Sequence, residues 1–346
     1  MNNALNYPKR TDENLNHQLE TLYSVSEHKK FNKNFVYIKF MFERVNGQAA
    51  LLRKLLAQNK IVVAPGVFDG FSVHLVEKMG FQAAIITGAG LSESRIGKPD
   101  VGLMGLEENL QGTRALANST SMALMADGDT GYGNAVNVYY TVKAFERTGI
   151  AGVMIEDQVW PKRCGHMKGK QVIPAKEMVK KVEAAVEAKE NKDFFIKART
   201  DAASILGIDE AIYRANLYKD AGADLIFADA ILSRDDIAKF AEEVDGKICI
   251  NMGFGIRKRS TTPLISAKEL EKLGVSMVEY PRMLTSAAIR GMMNAMEVFK
   301  RSIAGGMVIE RPDLMVSFEE LNKLMGLDEI REMEDRYTVK EETVSK

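Results

Sequence analysis

The chain reads as an α/β protein, a (β/α)8 barrel, on three observations. From residue 60 onward, short β-branched or apolar runs alternate with longer stretches of helical periodicity. Eight such runs occur, and the eight β–α units they begin span about 240 residues, the size of one barrel domain. The runs are apolar almost throughout rather than alternating, the pattern of parallel strands covered on both faces. An open doubly wound sheet would share that pattern. No G-x-G-x-x-G follows the first run, which weakens the dinucleotide-binding form of that alternative.

In chain order the runs are IVVAPGVFD (61–69), AAIITGAG (83–90), SMALMADGD (121–129), GVMIEDQ (152–158), FFIKARTD (194–201), LIFADA (225–230), KICINMG (247–253) and VSMVEYP (275–281). Between them lie amphipathic stretches such as GFSVHLVEKMG, NVYYTVKAFERTG, AKEMVKKVEAAVEAK and DEAIYRANLYKDAG. Several close on Gly just before the next run, the expected end of a helix. Residues 1–45 are an N-terminal extension without an assigned role, and residues 46–346 form the barrel domain with its C-terminal helices.

Composition narrows the function. The 47 basic and 47 acidic residues cancel, which argues against broad electrostatic binding to nucleic acid or to an anionic membrane. The longest early apolar stretch, FVYIKFMF (35–42), is interrupted by Lys39 and far too short to span a bilayer. The polar start MNNALNYPKRTDENLNHQ resembles neither a signal peptide nor an organellar transit peptide. Only Cys164 and Cys249 occur, so no disulfide framework is implied, and the expected location is the cytoplasm.

A barrel demands that its chemistry sit where the strands end. Those ends carry Asp69, Thr87 to Gly90, Asp127, Asp129, Glu156, Asp157, Arg199, Asp201, Asp229 and Asn251. So many acids in one volume suggest a divalent cation. Asp127 and Asp129 are two apart, so in a continuing strand they share a face, and Glu156 from the next strand adds a third oxygen donor. Carboxylates without a His cluster favour a hard ion, Mg2+, with Mn2+ as an alternative. The bland alternative is that D-x-D caps a turn. Arg199 suits a bidentate clamp on a substrate carboxylate, or else an ion pair with Asp201 or another strand-end acid. The TGAG turn offers backbone N–H groups and the Thr87 hydroxyl to an anion, or is a bare loop.

The run KRCGH (162–166) lies in a polar stretch from Val159 to Pro174 that is expected to cover the barrel mouth as a lid. Four His and one other Cys in the whole chain are too few for a zinc site. Flanked by Lys162, Arg163 and His166, Cys164 is placed to give and take a proton; an incidental loop cysteine is the alternative. Cys249, inside an apolar run, reads as a small buried hydrophobe.

Taken in order, TGAGLSESRIGKPDVGL, ADGDTGYGN, IEDQVWPKRCGHMKGKQVIP and KARTDA resemble the isocitrate lyase/phosphoenolpyruvate mutase superfamily and its short-chain members. The resemblance extends from about residue 47 to SFEELNKLMGLDEIREMEDRY. It implies a TIM-type (β/α)8 barrel whose eighth helix is exchanged between subunits of a homotetramer. It implies Mg2+ held by Asp127 and Asp129, with Asp100 and Glu156 contributing through waters. Substrate contacts would come from Thr87, Gly88, Ala89, Gly165, Arg199, Asp229 and Asn251. Cys164 would protonate an enolate-type intermediate, with His166 and Lys162 poising it and helping the loop close.

The activity so implied is Mg-dependent carbon–carbon cleavage of a 2-hydroxy di- or tricarboxylate, of the methylisocitrate or 2-alkylmalate type, to a 2-oxo acid and a carboxylate. The alternatives are carboxyphosphonoenolpyruvate phosphonomutase and oxaloacetate hydrolase or decarboxylase activity. Two departures fall at the substrate pocket: Asp229 stands where lyase relatives carry Glu, and NMGFGIRKRSTTP lacks the usual Glu and carries a basic insertion.

Overall fold

The computed structural model describes residues 44–165, 167–253 and 262–338. Eight parallel strands close into one barrel in sequence order, β1 to β8, with β1 paired to β8. The strands are β1 Val62–Val67, β2 Ala83–Ile86, β3 Ala123–Asp127, β4 Gly152–Glu156, β5 Phe195–Thr200, β6 Leu225–Ala228, β7 Ile248–Asn251 and β8 Met277–Tyr280. Each of the eight predicted runs contains one of them, and most strand residues are buried, as near-continuous apolar runs require.

The helices fall where the periodicity puts them. In chain order they are α1 Arg44–Leu56, α2 Gly70–Lys78, α3 Gly88–Leu91, α4 Leu106–Ala117, α5 Ala135–Glu146, α6 Ala175–Ala188, α7 Ala203–Leu206 and α8 Ile208–Asp220. There follow α9 Arg234–Glu243, α10 Ala267–Lys272, α11 Met283–Gly305, α12 Phe318–Leu324 and α13 Leu327–Tyr337. Predicted C-terminal glycines such as Gly149 (φ 86°) and Gly222 (φ 101°) adopt the left-handed backbone that ends a helix.

Two apolar layers result. The larger fills the space between strands and helices, with Val138, Phe145, Val182, Tyr218 and Phe240 packed on Leu124, Ile155, Ile196 and Ile226. The second lies inside the barrel, where Met125, Met154, Phe195, Phe227, Cys249 and Met277 share a cluster with Leu52, Leu55 and Leu56 of α1. Helix α1 therefore plugs the end of the barrel at which the strands begin. Its Gln48 accepts from the Leu124 N–H and donates to the Ala117 and Thr120 carbonyls.

Side chains alternate along a strand with period 2. Inward positions one step beyond the apolar layer are thus Asp127 after Met125, Glu156 after Met154, Asp229 after Phe227 and Asn251 after Cys249. On β5 the inward series is Phe195, Lys197, Arg199, and on β8 it is Met277, Glu279. The polar residues form the layer at the open end of the barrel. Beneath it Lys197 and Glu279, both almost fully buried, pair with each other across the interior.

Two local expectations need correction. The strand that carries Asp127 ends there, so Asp129 does not share its face by alternation. Asp129 sits instead at φ 49°, and its N–H donates to Asp127 Oδ1 at 3.0 Å, which folds the pair into a turn. The stretch after β2 is neither an open turn nor a bare loop but the short helix α3, capped by Thr87, whose hydroxyl accepts from the Gly90 N–H. Among the described residues no helix is long and apolar enough to cross a membrane.

Candidate active site

The strand-end polar residues separate into two groups. Asp69 caps α2, and Asp157 turns away into a buried network with Thr200, Tyr218, Arg214 and the Asp201 N–H. These are scaffold. The rest converge on one small cavity of about 50 Å³, lined among others by Thr87, Asp100, Asp127, Cys164, Arg199 and Asn251. Glu156 and Asp129 sit against it through Arg199 and Lys162.

The loop beyond β4 forms its roof. Its neck is a two-stranded contact between Gln158 and Val172, with Val159 N–H donating to Gln171 O at 2.8 Å. From there it drops three groups into the mouth. Lys162, 3% exposed, pairs with Asp100 and, at 2.7 Å, with Asp129. Lys170 reaches Asp201 at 2.8 Å. Gly165 lies so close over the barrel that a β-carbon there would fall 1.5 Å from Asp229 Oδ2, so only glycine fits. Gly88 has a similar role at the end of β2, where a β-carbon would fall 2.7 Å from Asp127 Oδ2.

Charge is dense. Burial opposes the Lys162 ammonium, but Asp129, Asp127, Asp100 and Glu156 outweigh it and hold its pKa well above the ordinary lysine value. Burial pushes Asp129 up to about 6, with Lys162 opposing and Asp127 and Asp100 adding to it. Burial likewise drives Glu156 well above the ordinary carboxylate value, against Arg199. Arg199 spends its fork on the chain's own acids: Asp201 through two nitrogens at 2.8 and 2.9 Å, Asp229 at 2.8 Å and Glu156 at 3.2 Å. Of the two roles open to Arg199 in the sequence, the ion pair with strand-end acids is the one present. Asp201 is held low because Arg199 and Lys170 overcome its burial.

The fit to a cation rests on oxygens left over. Among the described residues neither Glu156 oxygen receives a hydrogen bond, nor does Asn251 Oδ1, although Glu156 Oε2 keeps its 3.2 Å ion pair with Arg199 and Asp129 Oδ1 is already met by Lys162. Such buried acceptors are costly and call for a positive partner. No three or more Asp, Glu, His or Cys side chains among the described residues yet converge at cation-binding spacing. The Lys162 ammonium stands between Asp100 and Asp129, and the acids face it. The donor set, all oxygen, suits a hard ion.

Cys164 is half-buried, its N–H donating to Asp100 O at 3.2 Å. A cation beside its sulfur is one that sequence reasoning passed over: Arg282, whose Nη2 lies 3.8 Å from Sγ and whose Nη1 pairs with Glu93. Arg282 is the second residue after β8, so the strand-end rule, carried one residue past VSMVEYP, reaches it. Also missed were Lys170, and Asn109 with Tyr132 behind the acids; Asn109 Nδ2 donates to the Asp127 carbonyl and to Tyr132 Oη, each at 2.8 Å. Cys249 is buried, and burial followed by Glu279 pushes its thiol far up, consistent with an inert core residue. His166 and residues 254–261, which include the whole basic insertion, lie outside the described residues.

Comparison with known proteins places the whole barrel in a family. Residues 52–300 match the phosphoenolpyruvate phosphomutase family. The chain is 42% identical to 2,3-dimethylmalate lyase of Eubacterium barkeri over 84% of its own length and 98% of that protein's. It is 39% identical to 2-methylisocitrate lyase of Aeropyrum pernix over 73% and 79% of the two chains. Among solved structures, oxaloacetate acetylhydrolase in complex with 3,3-difluorooxalacetate superposes with a TM-score of 0.78 at 30% identity, over 86% of this chain and 99% of that one. A family match over most of the barrel, joined to relatives this similar along nearly their whole length, means that the chain belongs to the phosphoenolpyruvate mutase/isocitrate lyase superfamily of lyases and mutases.

Proposed function

We propose that the protein is a Mg2+-dependent carbon–carbon lyase that cleaves a 2-hydroxy di- or tricarboxylate to a 2-oxo acid and a carboxylate. The observation that carries this is the ring of strand-end acids, with Glu156 lacking hydrogen-bond donors, beneath a loop that lowers a thiol over them. Asp127 and Asp129 would hold the ion, with Asp100 and Glu156 alongside, and Mn2+ is the natural substitute. When bound, the ion supplies electrophilic stabilisation of negative charge on a substrate oxygen.

The chain's own residues supply the rest. Arg199 ties the acids of β4, β5 and β6 into one rigid set, so that they do not reorganise during reaction. Lys162 and Lys170 pin the loop shut and exclude water. Loss of the substrate hydroxyl proton lets the C–C bond break, and its electrons pass to the carboxylate enolate. The Cys164 thiol then gives that carbon a proton. The named activities of the dimethylmalate and methylisocitrate lyases support this chemistry. The likeness to oxaloacetate acetylhydrolase favours cleavage of an oxo acid as the second reading.

A substrate panel decides between them. Purified protein with Mg2+ is expected to release pyruvate or glyoxylate from at least one 2-alkylmalate or (methyl)isocitrate, detected by coupled reduction of the 2-oxo acid, and to lose that activity on chelation. Turnover of oxaloacetate or of a phosphonate, with no oxo acid from the panel, would reject the lyase in favour of its alternatives.

The same reading includes a cytoplasmic homotetramer with exchanged eighth helices. It is supported by α11, of which only Thr285 and Val298 are buried. Ile289, Met292, Met293, Met296, Phe299 and Ile303 recur at spacings of one, three and four residues and are all more than half exposed. An apolar stripe of this length on one face needs a partner surface. Met296→Glu combined with Phe299→Glu is therefore expected to convert the assembly to smaller species in sedimentation velocity. An unchanged sedimentation coefficient would remove α11 from the interface.

A further inference from the structure

Four cations line the cavity: Lys162, Arg163, Arg199 and Arg282. Three are already committed. Lys162 serves Asp100 and Asp129, and all three guanidinium nitrogens of Arg199 face Asp201, Asp229 or Glu156. The Arg163 side chain is exposed and ties Nη1 to the Lys168 carbonyl at 3.0 Å. Arg282 differs. Among the described residues its Nη2 faces only a sulfur at 3.8 Å, a weak acceptor, and its one acidic partner there is Glu93, whose side chain is 37% exposed. A partly solvated pair of that kind exchanges readily for another anion. The Arg282 side chain is itself 24% exposed and is anchored at the end of a barrel strand, so its fork is both reachable and fixed in direction.

We infer that Arg282 is a specificity-determining residue that receives the carboxylate of a carboxymethyl group borne by the carbon that Cys164 protonates, so that the preferred substrate is a 2-hydroxy tricarboxylate rather than a 2-alkylmalate. This rests on the lyase reading for the role of Cys164. Because Arg282 Nη2 borders the sulfur, a substituent on the protonated carbon points at the guanidinium. A methyl group there leaves the guanidinium with Glu93. A carboxymethyl group meets the fork bidentately, the arrangement in which arginine discriminates most strongly. A site holding such a donor set favours the ligand that fills it over the one that leaves it unfilled.

Binding of non-cleavable ligands tests this apart from turnover. Tricarballylate and methylsuccinate differ by one carboxylate on otherwise the same carbon skeleton. In titration calorimetry with Mg2+ present, the wild-type protein is expected to bind tricarballylate at least about tenfold more tightly than methylsuccinate. Arg282→Leu should bring the two to parity mainly by weakening tricarballylate, and Arg282→Lys should retain part of the difference. Equal affinities in the wild type, binding of neither ligand, or a preference that survives Arg282→Leu would each overturn the assignment. A structural fault in the variant would weaken both ligands together and would equally count against it. Absence of oxo-acid release from the substrate panel, by contrast, rejects the reaction and leaves a measured binding preference standing.

Discussion

Cys164→Ser is expected to lower the rate of 2-oxo-acid release by about 10²- to 10⁴-fold, the usual contribution of a positioned proton donor. Binding of Mg2+ and substrate should remain close to wild type, because the substitution leaves the acids untouched and keeps the loop's backbone bond from the residue 164 N–H to Asp100 O. Serine occupies nearly the same volume, but a hydroxyl is a far weaker acid than a thiol, so the step that needs a proton fails while those that need shape persist. Single-turnover kinetics with the best panel substrate, set beside calorimetric binding, separates the two. Turnover within a few-fold of wild type would show that another group protonates the intermediate and would take Cys164 out of the chemistry. The other cysteine does not confuse the measurement, since Cys249 is fully buried.

Lys197→Met is expected to destabilise the protein by about 3–5 kcal/mol, because it strands the Glu279 carboxylate inside the barrel. Lys197 is 0% and Glu279 1% exposed, and Lys197 also stands 5.3 Å from the centre of the Phe227 ring. Neither charge has access to water when the other is removed. The double variant Lys197→Met with Glu279→Leu should recover most of the loss, since buried ion pairs replaced as a unit by apolar groups are often neutral or better. Urea unfolding of the four proteins gives the coupling directly. Additive losses would mean that the two groups do not depend on each other. The pH dependence has a definite sign. Burial opposes the Lys197 ammonium, but Glu279 outweighs it and raises the pKa above the ordinary lysine value. The stabilisation is therefore complete at neutral pH and is lost only as alkali carries the pH through that raised value.

Much of this was legible in one dimension. Strands buried on both faces must be apolar almost throughout, so each announces itself, and the barrel rule then turns their last residues into candidates. Asp127, Asp129, Glu156 and Arg199 become candidates in this way, and the structure gathers them at the barrel mouth. What failed was whatever depends on a partner remote in sequence. Lys197 and Glu279 lie within FFIKARTD and VSMVEYP, where each looks like an interruption of an apolar run, yet they pair across 82 positions. For Arg199 the sequence left a substrate clamp and an ion pair both open, because it does not show that Glu156 and Asp229 from the neighbouring strands close on it beside Asp201. Asp127 and Asp129 were rightly paired but for a reason the backbone does not follow, since the positive φ of Asp129 ends the alternation.

Helix α1 gives the barrel a floor, and that limits traffic. With Leu52, Leu55 and Leu56 seated among the inward side chains, no passage runs through the strand bundle. A reaction that makes two molecules from one must then send both out by the door through which the substrate came, in single file past Lys162 and Gly165. For the proposed lyase, exit of either product therefore depends on freeing Lys162 from Asp100 and Asp129.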